Sequence, residues 1–508
     1  MDKVILTNFG VLSAKYGPTG LAAINAALER LVAADKARGL DSVVIGLDDA
    51  AGMGSLKVPV VTNAQSGRQA KDAIDAIYRA LTPDYIMILG SSDVVPHQSL
   101  ANPVFDGAND PDRMVPSDLP YACDAPYGGD ASKYTGPTRV VGRLPDITGG
   151  NVADYLVGLI ETAVNWTSRP RSQYASYLGI SAAVWEDSTA LSLQNVFGNA
   201  SDLQIVPTAG PKWEAALLAR RAHFVNCHGA LANPHYYGQQ GSTFPIAHDA
   251  AYVAASELAE GTVIAAECCY GAELYNPVLA DNQQMGMCNT YLSKKAYAFL
   301  GSSTIAYGPA SGNGSADYLC QFFLNQVLAG ASVGRAALMA RQEFVRRSGM
   351  VDPVDLKTLA QFSLMGDPSI QPVVLDTQHQ PLGKGEEGKS LRAIRRRRLS
   401  IEGTELGKNT PVAKKSKAKG KGGSPSSALK KLIEASALDS TTVLSFNFKR
   451  PGGAAKVKGA IAAPKAQSVH VVLGRRDGSD NDHVPRGIAL VVWEEDGKLV
   501  SYRELHQR

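Results

Sequence analysis

The sequence predicts an α/β fold with a mainly parallel sheet, followed by a disordered basic linker and a small β-rich C-terminal module. Two observations carry the first part of that expectation. β-type runs alternate with helix-periodic segments over the first 370 residues, and several of the runs are continuously apolar, as strands covered on both faces must be. A third observation is an abrupt change of composition after Gln380, where Gly, Ser, Lys and Arg replace the apolar pattern.

In chain order, Lys3–Asn8 reads as a strand, Thr19–Ala37 as an amphipathic helix, Ser42–Leu47 as a strand, Ser66–Leu81 as a helix and Tyr85–Gly90 as a strand. Between about 97 and 150 runs a long polar stretch rich in Pro and Gly, and loops this long in compact domains are usually functional or disordered. A second block starts near Tyr174. Its strands are expected at Tyr177–Ser181, His223–Cys227, Val263–Glu267 and Ala296–Gly301, and its helices at Thr189–Phe197, Trp213–Arg220, Ala316–Leu328 and Val333–Phe344. Short β-type runs return at Val443–Phe448, Ser468–Leu473, Ile488–Trp493 and Leu499–Tyr502. The expected domains are 1–170, 171–380, a linker 381–440 and a module 441–508.

The formal net charge of +3 conceals a division of the 508 residues. Residues 381–508 hold 26 Lys+Arg and 13 Asp+Glu, which leaves 25 and 35 for the first 380. An acidic body therefore carries a basic tail. Arg395–Arg398 and the lysines of 414–421 lack interleaved aromatics, so they suit salt-dependent contact with an anionic partner or nucleic acid, or with the acidic body itself, and not base reading. The start Met1-Asp-Lys-Val-Ile-Leu is strand-like and has no long apolar core, and no apolar stretch reaches the roughly 18 residues of a membrane span. A cytoplasmic protein with no membrane partner is expected. The six cysteines form no regular framework and are expected to be reduced.

Two of the apolar runs end in chemistry. His223-Phe-Val-Asn-Cys-His-Gly229 delivers an imidazole followed by glycine, and Thr262-Val-Ile-Ala-Ala-Glu-Cys-Cys-Tyr-Gly271 delivers a thiol. A buried parallel strand presents functional groups at its carboxyl edge in this way. A thiol becomes a strong nucleophile when a neighbouring base favours its thiolate.

In one group of cysteine peptidases a Gln-Ala-Cys-x-Gly element follows the histidine by about 50 residues. Here Glu267-Cys-Cys-Tyr-Gly271 follows His228, with Cys269 placed 41 residues after it. With the His-Gly pair, these residues resemble the caspase and gingipain class of cysteine peptidases. Pro83-Asp-Tyr-Ile-Met-Ile-Leu-Gly90 with Val95-Pro96, Pro116-Ser-Asp-Leu-Pro-Tyr121 with Arg139-Val-Val-Gly-Arg-Leu-Pro145, Ala298-Phe-Leu-Gly-Ser-Ser303 and Leu364-Met-Gly-Asp-Pro-Ser369 occur in the order that resembles the gingipain-like branch. The resemblance covers about residues 1–375. It implies caspase/gingipain-like α/β/α layers in two side-by-side subdomains, and a Cys-His dyad that hydrolyses protein or peptide substrates through an acyl-enzyme without a cofactor.

On that resemblance His228 is the acid–base. Cys269 is the nucleophile, with Cys268 as the alternative, since successive strand residues face opposite ways and only one enters a cleft. The backbone N–H groups of Gly229 and of the nucleophile would hold the oxyanion. Leu178–Asp187 resembles the strand and loop that carry an acidic group in the family: Glu186 would orient His228, and Asp187 would line a pocket for a basic side chain. Asp187-Ser188 reads equally as a helix N-terminus. With Asp187 in the pocket, cleavage after Arg or Lys follows, and the Arg-rich linker becomes a candidate self-processing segment. Asp93, Asp118 and Arg143 are expected at the interface between subdomains.

Two other readings compete. Cys227, His228, Cys268, Cys269 and Cys288 are numerous enough for zinc, but adjacent Cys-His and Cys-Cys pairs lack the usual two-to-four-residue separation, so no metal is expected. A catalytically inactive scaffold or protein-binding module on the same fold is the alternative function. Gly312 and Gly314 lack the Lys-Ser/Thr of a phosphate loop and read as a loop near the cleft.

Overall fold

The computed structural model describes residues 1–375, 386–415, 426–447, 468–476, 484–495 and 497–508. The strands that build its two main sheets are, in chain order and apart from the short Lys414–Lys415, β1 (Lys3–Thr7), β2 (Ser42–Gly46), β3 (Tyr85–Leu89), β4 (Val141–Leu144), β5 (Tyr177–Ala182), β6 (Leu203–Val206), β7 (Ala222–Asn226), β8 (Val263–Ala266), β9 (Ala298–Ser302), β10 (Tyr307–Gly308), β11 (Phe362–Met365), β12 (Asp439–Asn447), β13 (Ser468–Arg475), β14 (Ile488–Glu495) and β15 (Lys498–Gln507). Ten of them form one sheet in the order β2-β1-β3-β4-β11-β9-β8-β7-β5-β6.

All pairings in this sheet are parallel except one. β11 is antiparallel to β9 and parallel to β4, which it meets through Met365 and Arg143. The α/β expectation of two side-by-side halves is therefore met by two parallel half-sheets running in opposite directions, with β11 between them. Strands β7 and β8 are buried along their whole length, which is why they read as unbroken apolar runs.

The period of two is visible through the second half-sheet. Ile264, Ala266 and Cys268 belong to one core with Leu178, Ile180 and Val225. Val263, Ala265 and Cys269 belong to the other, with Phe224, Leu300 and Leu319. Neighbouring side chains on one strand thus enter opposite layers.

Helix α1 (Phe9–Ala37) starts ten residues earlier than the sequence suggests. Asn8 caps it by accepting the Val11 N–H, and Gly17 at φ 65° with Pro18 interrupts it, so the first turns read as a loop. Helix α2 (Gly67–Leu81) starts after Ser66, whose hydroxyl accepts the Gln69 N–H. The long polar stretch holds the hairpin Gln98–Ala101/Met114–Ser117 as well as β4. Helices α3 (Asp154–Asn165), α4 (Glu186–Phe197), α5 (Ala316–Leu328), α6 (Val333–Ser348) and α7 (Pro353–Gln361) complete the body. The expected helix over Trp213–Arg220 shrinks to Ala215–Leu218.

Arg143 is fully buried at the seam. It bonds Asp118 through both Nε and Nη2 and donates through Nη1 to the carbonyls of Gly90 and Val95. Asp93 pairs instead with Lys15, 2.8 Å away, which also holds Asp146 at 2.6 Å.

The linker expectation needs correction where the residues are described. Glu386–Asn409 forms helix α8, which docks on the acidic body. Arg392 reaches Asp2 and Asp84, Arg396 reaches Asp84, and Leu399 and Leu406 are buried. Gly136 and Gly403 permit the approach, because a Cβ on either would overlap the facing backbone. Composition alone hides this, since ion pairs and close glycine packing take the place of an apolar stripe. Arg395, Arg397 and Arg398 are exposed, and residues 416–425 lie outside the described residues. No helix among the described residues is long and apolar enough to cross a membrane.

The C-terminal module is β-rich as expected. Strands β12 to β15 form an antiparallel meander, extended at one end by Lys414–Lys415 and at the other by β10 of the body. Helix Ser427–Ala435 covers one face through Leu429.

Beneath β7 a directed hydrogen-bond chain runs through two neutral histidines. Trp213 Nε1–H donates to His248 Nδ1 at 3.0 Å, His248 Nε2 meets the Tyr291 hydroxyl at 2.7 Å, that hydroxyl meets His223 Nδ1 at 2.9 Å, and His223 Nε2 meets the Arg220 carbonyl at 2.9 Å. Only neutral rings satisfy this chain. Burial pulls His223 down to about 4 and His248 to about 3. Both values lie below the unfolded one near 6.5, so their contribution is complete above about pH 6.5 and is lost as pH falls toward 4. The urea midpoint should therefore drop between pH 7 and pH 5, and His248→Gln should lessen that drop. Parallel denaturation series check this, and an undiminished drop in the variant counts against it.

Candidate active site

Strand β7 ends at Asn226 and β8 at Ala266, side by side in parallel register, with Val225 opposite Ala266. The chain that follows each strand supplies Cys227-His228-Gly229 and Glu267-Cys268-Cys269, so topology alone brings imidazole and thiol to one sheet edge. The backbones touch there: a Cβ on Gly229 would collide with the Cys269 carbonyl. Glycine is what allows this approach.

The two cysteines separate as the alternation requires. Cys268 lies in the core layer beside Val225, its Sγ 4.0 Å from the Val225 carbonyl. Cys269 faces the opposite layer, where its Sγ accepts the Ala306 N–H at 3.2 Å. Burial pushes the Cys269 thiol up to about 12, and the Ala306 N–H opposes burial only in part.

The His228 ring packs against Trp185 at 4.4 Å between centroids and against Phe244 at 5.2 Å. Its Nε2 lies 2.8 Å from Gln239 Oε1. The Gln239 amide nitrogen donates to the Gly241 carbonyl at 3.0 Å, which fixes the oxygen toward the ring. Nε2 therefore carries the proton, and Nδ1, buried and without a partner, keeps its lone pair. Burial, opposed by the Gln239 hydrogen bond and aided by the Arg508 charge, holds this imidazole at about 3. Thiol and imidazole are both neutral in this state.

Strand β15 fills the cleft beside them. Tyr307 and Gly308 of β10 pair with Gln507 and His506, and the Arg508 N–H donates to the Ala306 carbonyl at 3.0 Å. The Arg508 carbonyl accepts the N–H groups of Cys269 at 2.7 Å and Gly229 at 3.4 Å.

The Arg508 side chain enters a fully buried acidic pocket. Its guanidinium donates to Asn226 Oδ1, to the Pro309 carbonyl at 2.8 Å and to Asp317 Oδ1 at 3.1 Å, and it lies 4.7 Å from the Trp185 ring centre. Glu267 Oε2 stands 3.8 Å away. Asp317 is held by Ser188 Oγ and by the N–H of Gly314, so the Gly-rich loop shapes this pocket. Burial, and next the Asp317 charge, push the Glu267 carboxyl well above the usual range, and the Arg508 charge opposes them. Gly308 sets the depth, since a Cβ there would overlap the guanidinium. A cavity of about 410 Å³ stays open beside His228, between Trp185, Gln239, Tyr270 and Arg486.

Two expectations are corrected by these positions. Glu186 and Asp187 are exposed in the first turn of α4, where they complement the helix dipole. The group that orients His228 is Gln239, and the carboxylates of the basic-side-chain pocket are Asp317 and Glu267. Glu267 carried a signal in the sequence, as an acidic residue at the end of a buried apolar run. Gln239 in a polar loop and Asp317 in a helix's first turn carried none. No group of three or more His, Cys, Asp and Glu among the described residues is placed to hold a metal.

No family model and no curated protein matches the chain. Among solved structures, the chain is similar to one described as a protease, at 12% identity and TM-score 0.45, over 100% of this chain and 97% of that one. It is similar to the complex of the pro- and mature domains of RgpB from Porphyromonas gingivalis, at 12% identity and TM-score 0.48, over 100% and 93%. A Saccharomyces cerevisiae separase–securin complex matches 48% of this chain and 14% of its own, at 12% identity and TM-score 0.27.

Proposed function

We propose that this chain is a cysteine endopeptidase that cleaves after arginine, with Cys269 as nucleophile and His228 as acid–base. The observation that carries the reading is the seating of Arg508: its carbonyl oxygen bonds two backbone N–H groups beside the thiol while its guanidinium meets Asp317 in a buried pocket. Donors aimed at one carbonyl oxygen next to a nucleophile are what acyl transfer requires. In this reading Asp317 and Glu267 take the specificity role first assigned to Asp187.

The substrate arginine occupies the place of Arg508. His228 Nδ1 accepts the thiol proton as Sγ bonds to the carbonyl carbon, and the resulting oxyanion sits between the N–H groups of Gly229 and Cys269. The C–N bond breaks as His228 returns the proton to the amine. A water, deprotonated by the same nitrogen, then displaces the thiolate from the thioester and releases the acid. Gln239 keeps the proton on Nε2 throughout, and the open cavity leaves room for the residues after the scissile bond.

Hydrolysis of an arginyl fluorogenic peptide tests this, measured on the intact chain and on its Arg508→Ala variant. Cys269→Ala should lower the rate by about 10³-fold or more, the scale of losing a nucleophile, and Cys268→Ala should leave it within a few-fold. Full activity without the Cys269 thiol would overturn the assignment.

A further inference from the structure

We propose that the C-terminal module is an inhibitor of the cleft in cis, with β15 bound as a substrate strand and Arg508 as its specificity residue. The inference rests on the peptidase reading, but the observations extend past the site itself. β15 adds to β10 by main-chain pairing, the mode in which an extended peptide augments a sheet edge, and Arg508 then supplies the side-chain recognition.

The strand is also anchored outside the pocket. Arg503 bonds Asp352 and, at 2.8 Å, Asp355 at the start of α7. Gln507 donates to the Asn109 carbonyl at 2.6 Å and to the Tyr307 hydroxyl at 2.9 Å. Behind it Phe446, Val469, Val491 and Leu505 join the same core as Leu319 and Leu324 of α5. An apolar interface, an ion pair between half-buried Arg503 and two buried carboxylates, and strand pairing together describe a seated domain.

The consequence for the thiol is complete cover: Cys269 has 0% exposure with β15 in place. Inhibition does not depend on the group that follows the Arg508 carbonyl. An amide there is a bond to be cut, leaving Arg508 as bound product, and a carboxylate is that product. Either way a tethered strand competes with every incoming substrate.

The test uses the full chain. Arg508→Ala removes the specificity contact, and Arg503→Ala loosens the anchor without touching the pocket, which guards against failure of the first variant to fold. Each should raise Cys269-dependent hydrolysis of the arginyl peptide by about tenfold or more, as expected when a tethered competitor at an effective millimolar concentration is weakened. Iodoacetamide labelling of Cys269, mapped by mass spectrometry, should accelerate similarly and needs no catalysis. Unchanged hydrolysis and labelling in both folded variants would overturn the proposal and leave the peptidase reading intact. Faster labelling with no hydrolysis in any variant would support the inhibitory strand and overturn the peptidase reading.

Discussion

Asp317→Asn, introduced into the Arg508→Ala chain, is expected to lower kcat/KM for arginyl peptides by about 10²-fold or more, in keeping with the 3–5 kcal/mol cost of breaking a buried ion pair. The loss has a structural reason. A substrate guanidinium in place of that of Arg508 would bond Asp317 directly, whereas Glu267 stands 3.8 Å away with a carboxyl whose pKa burial raises. Removing the Asp317 charge also removes one of the influences that raise the Glu267 pKa, which favours its ionised form and should rescue part of the binding. Asp317→Asn with Glu267→Gln should therefore lose more than the product of the single losses. Rates on peptides with arginine and with an uncharged residue before the scissile bond decide the matter. An equal loss on both would assign Asp317 to structure and not to specificity.

Arg143→Met is expected to destabilise the fold by about 3–5 kcal/mol, because it strands a buried carboxylate. Arg143 and Asp118 are both buried, and two backbone carbonyls depend on the same guanidinium. Burial by itself raises the Asp118 pKa, and the Arg143 charge and hydrogen bonds override it and hold the carboxyl below its ordinary range. Removing Asp118 as well should recover part of the loss, so the double variant Arg143→Met/Asp118→Leu is expected to be more stable than Arg143→Met. Urea denaturation of both variants checks this order, and the reverse order would show that the ion pair is not the source of the effect.

Much of the candidate site's sheet edge was legible in the sequence because parallel strands leave a simple trace. Continuous apolar runs ending in His228-Gly229 and Cys268-Cys269 mark two strand ends, and the period of two separates the thiols before any coordinate is seen. The pocket was less legible. Asp317 stands in the first turn of α5, where acidic residues are common for helix reasons alone, and its role depends on Ser188, a partner 129 residues earlier in the chain. Glu186 and Asp187 show the same ambiguity resolved the other way, as first-turn residues turned to solvent. Helix α8 escaped because its docking uses ion pairs to Asp2 and Asp84, which are close only after folding. Strand β11 escaped because four residues after a helix carry too little pattern to distinguish from its end.

That short strand has a consequence for how the chain reaches its fold. β11 lies between β4 and β9, yet β4 is made more than 200 residues before it. At ribosomal rates of about 5–20 residues per second, β4 waits roughly ten seconds or longer for the strand that covers its edge. Each half-sheet emerges with an open flank, β4 on one side and β9 on the other. A piece synthesised near the end of the body thus closes both, so a chain stalled or cut before residue 362 would expose two unpaired edges suited to joining another copy.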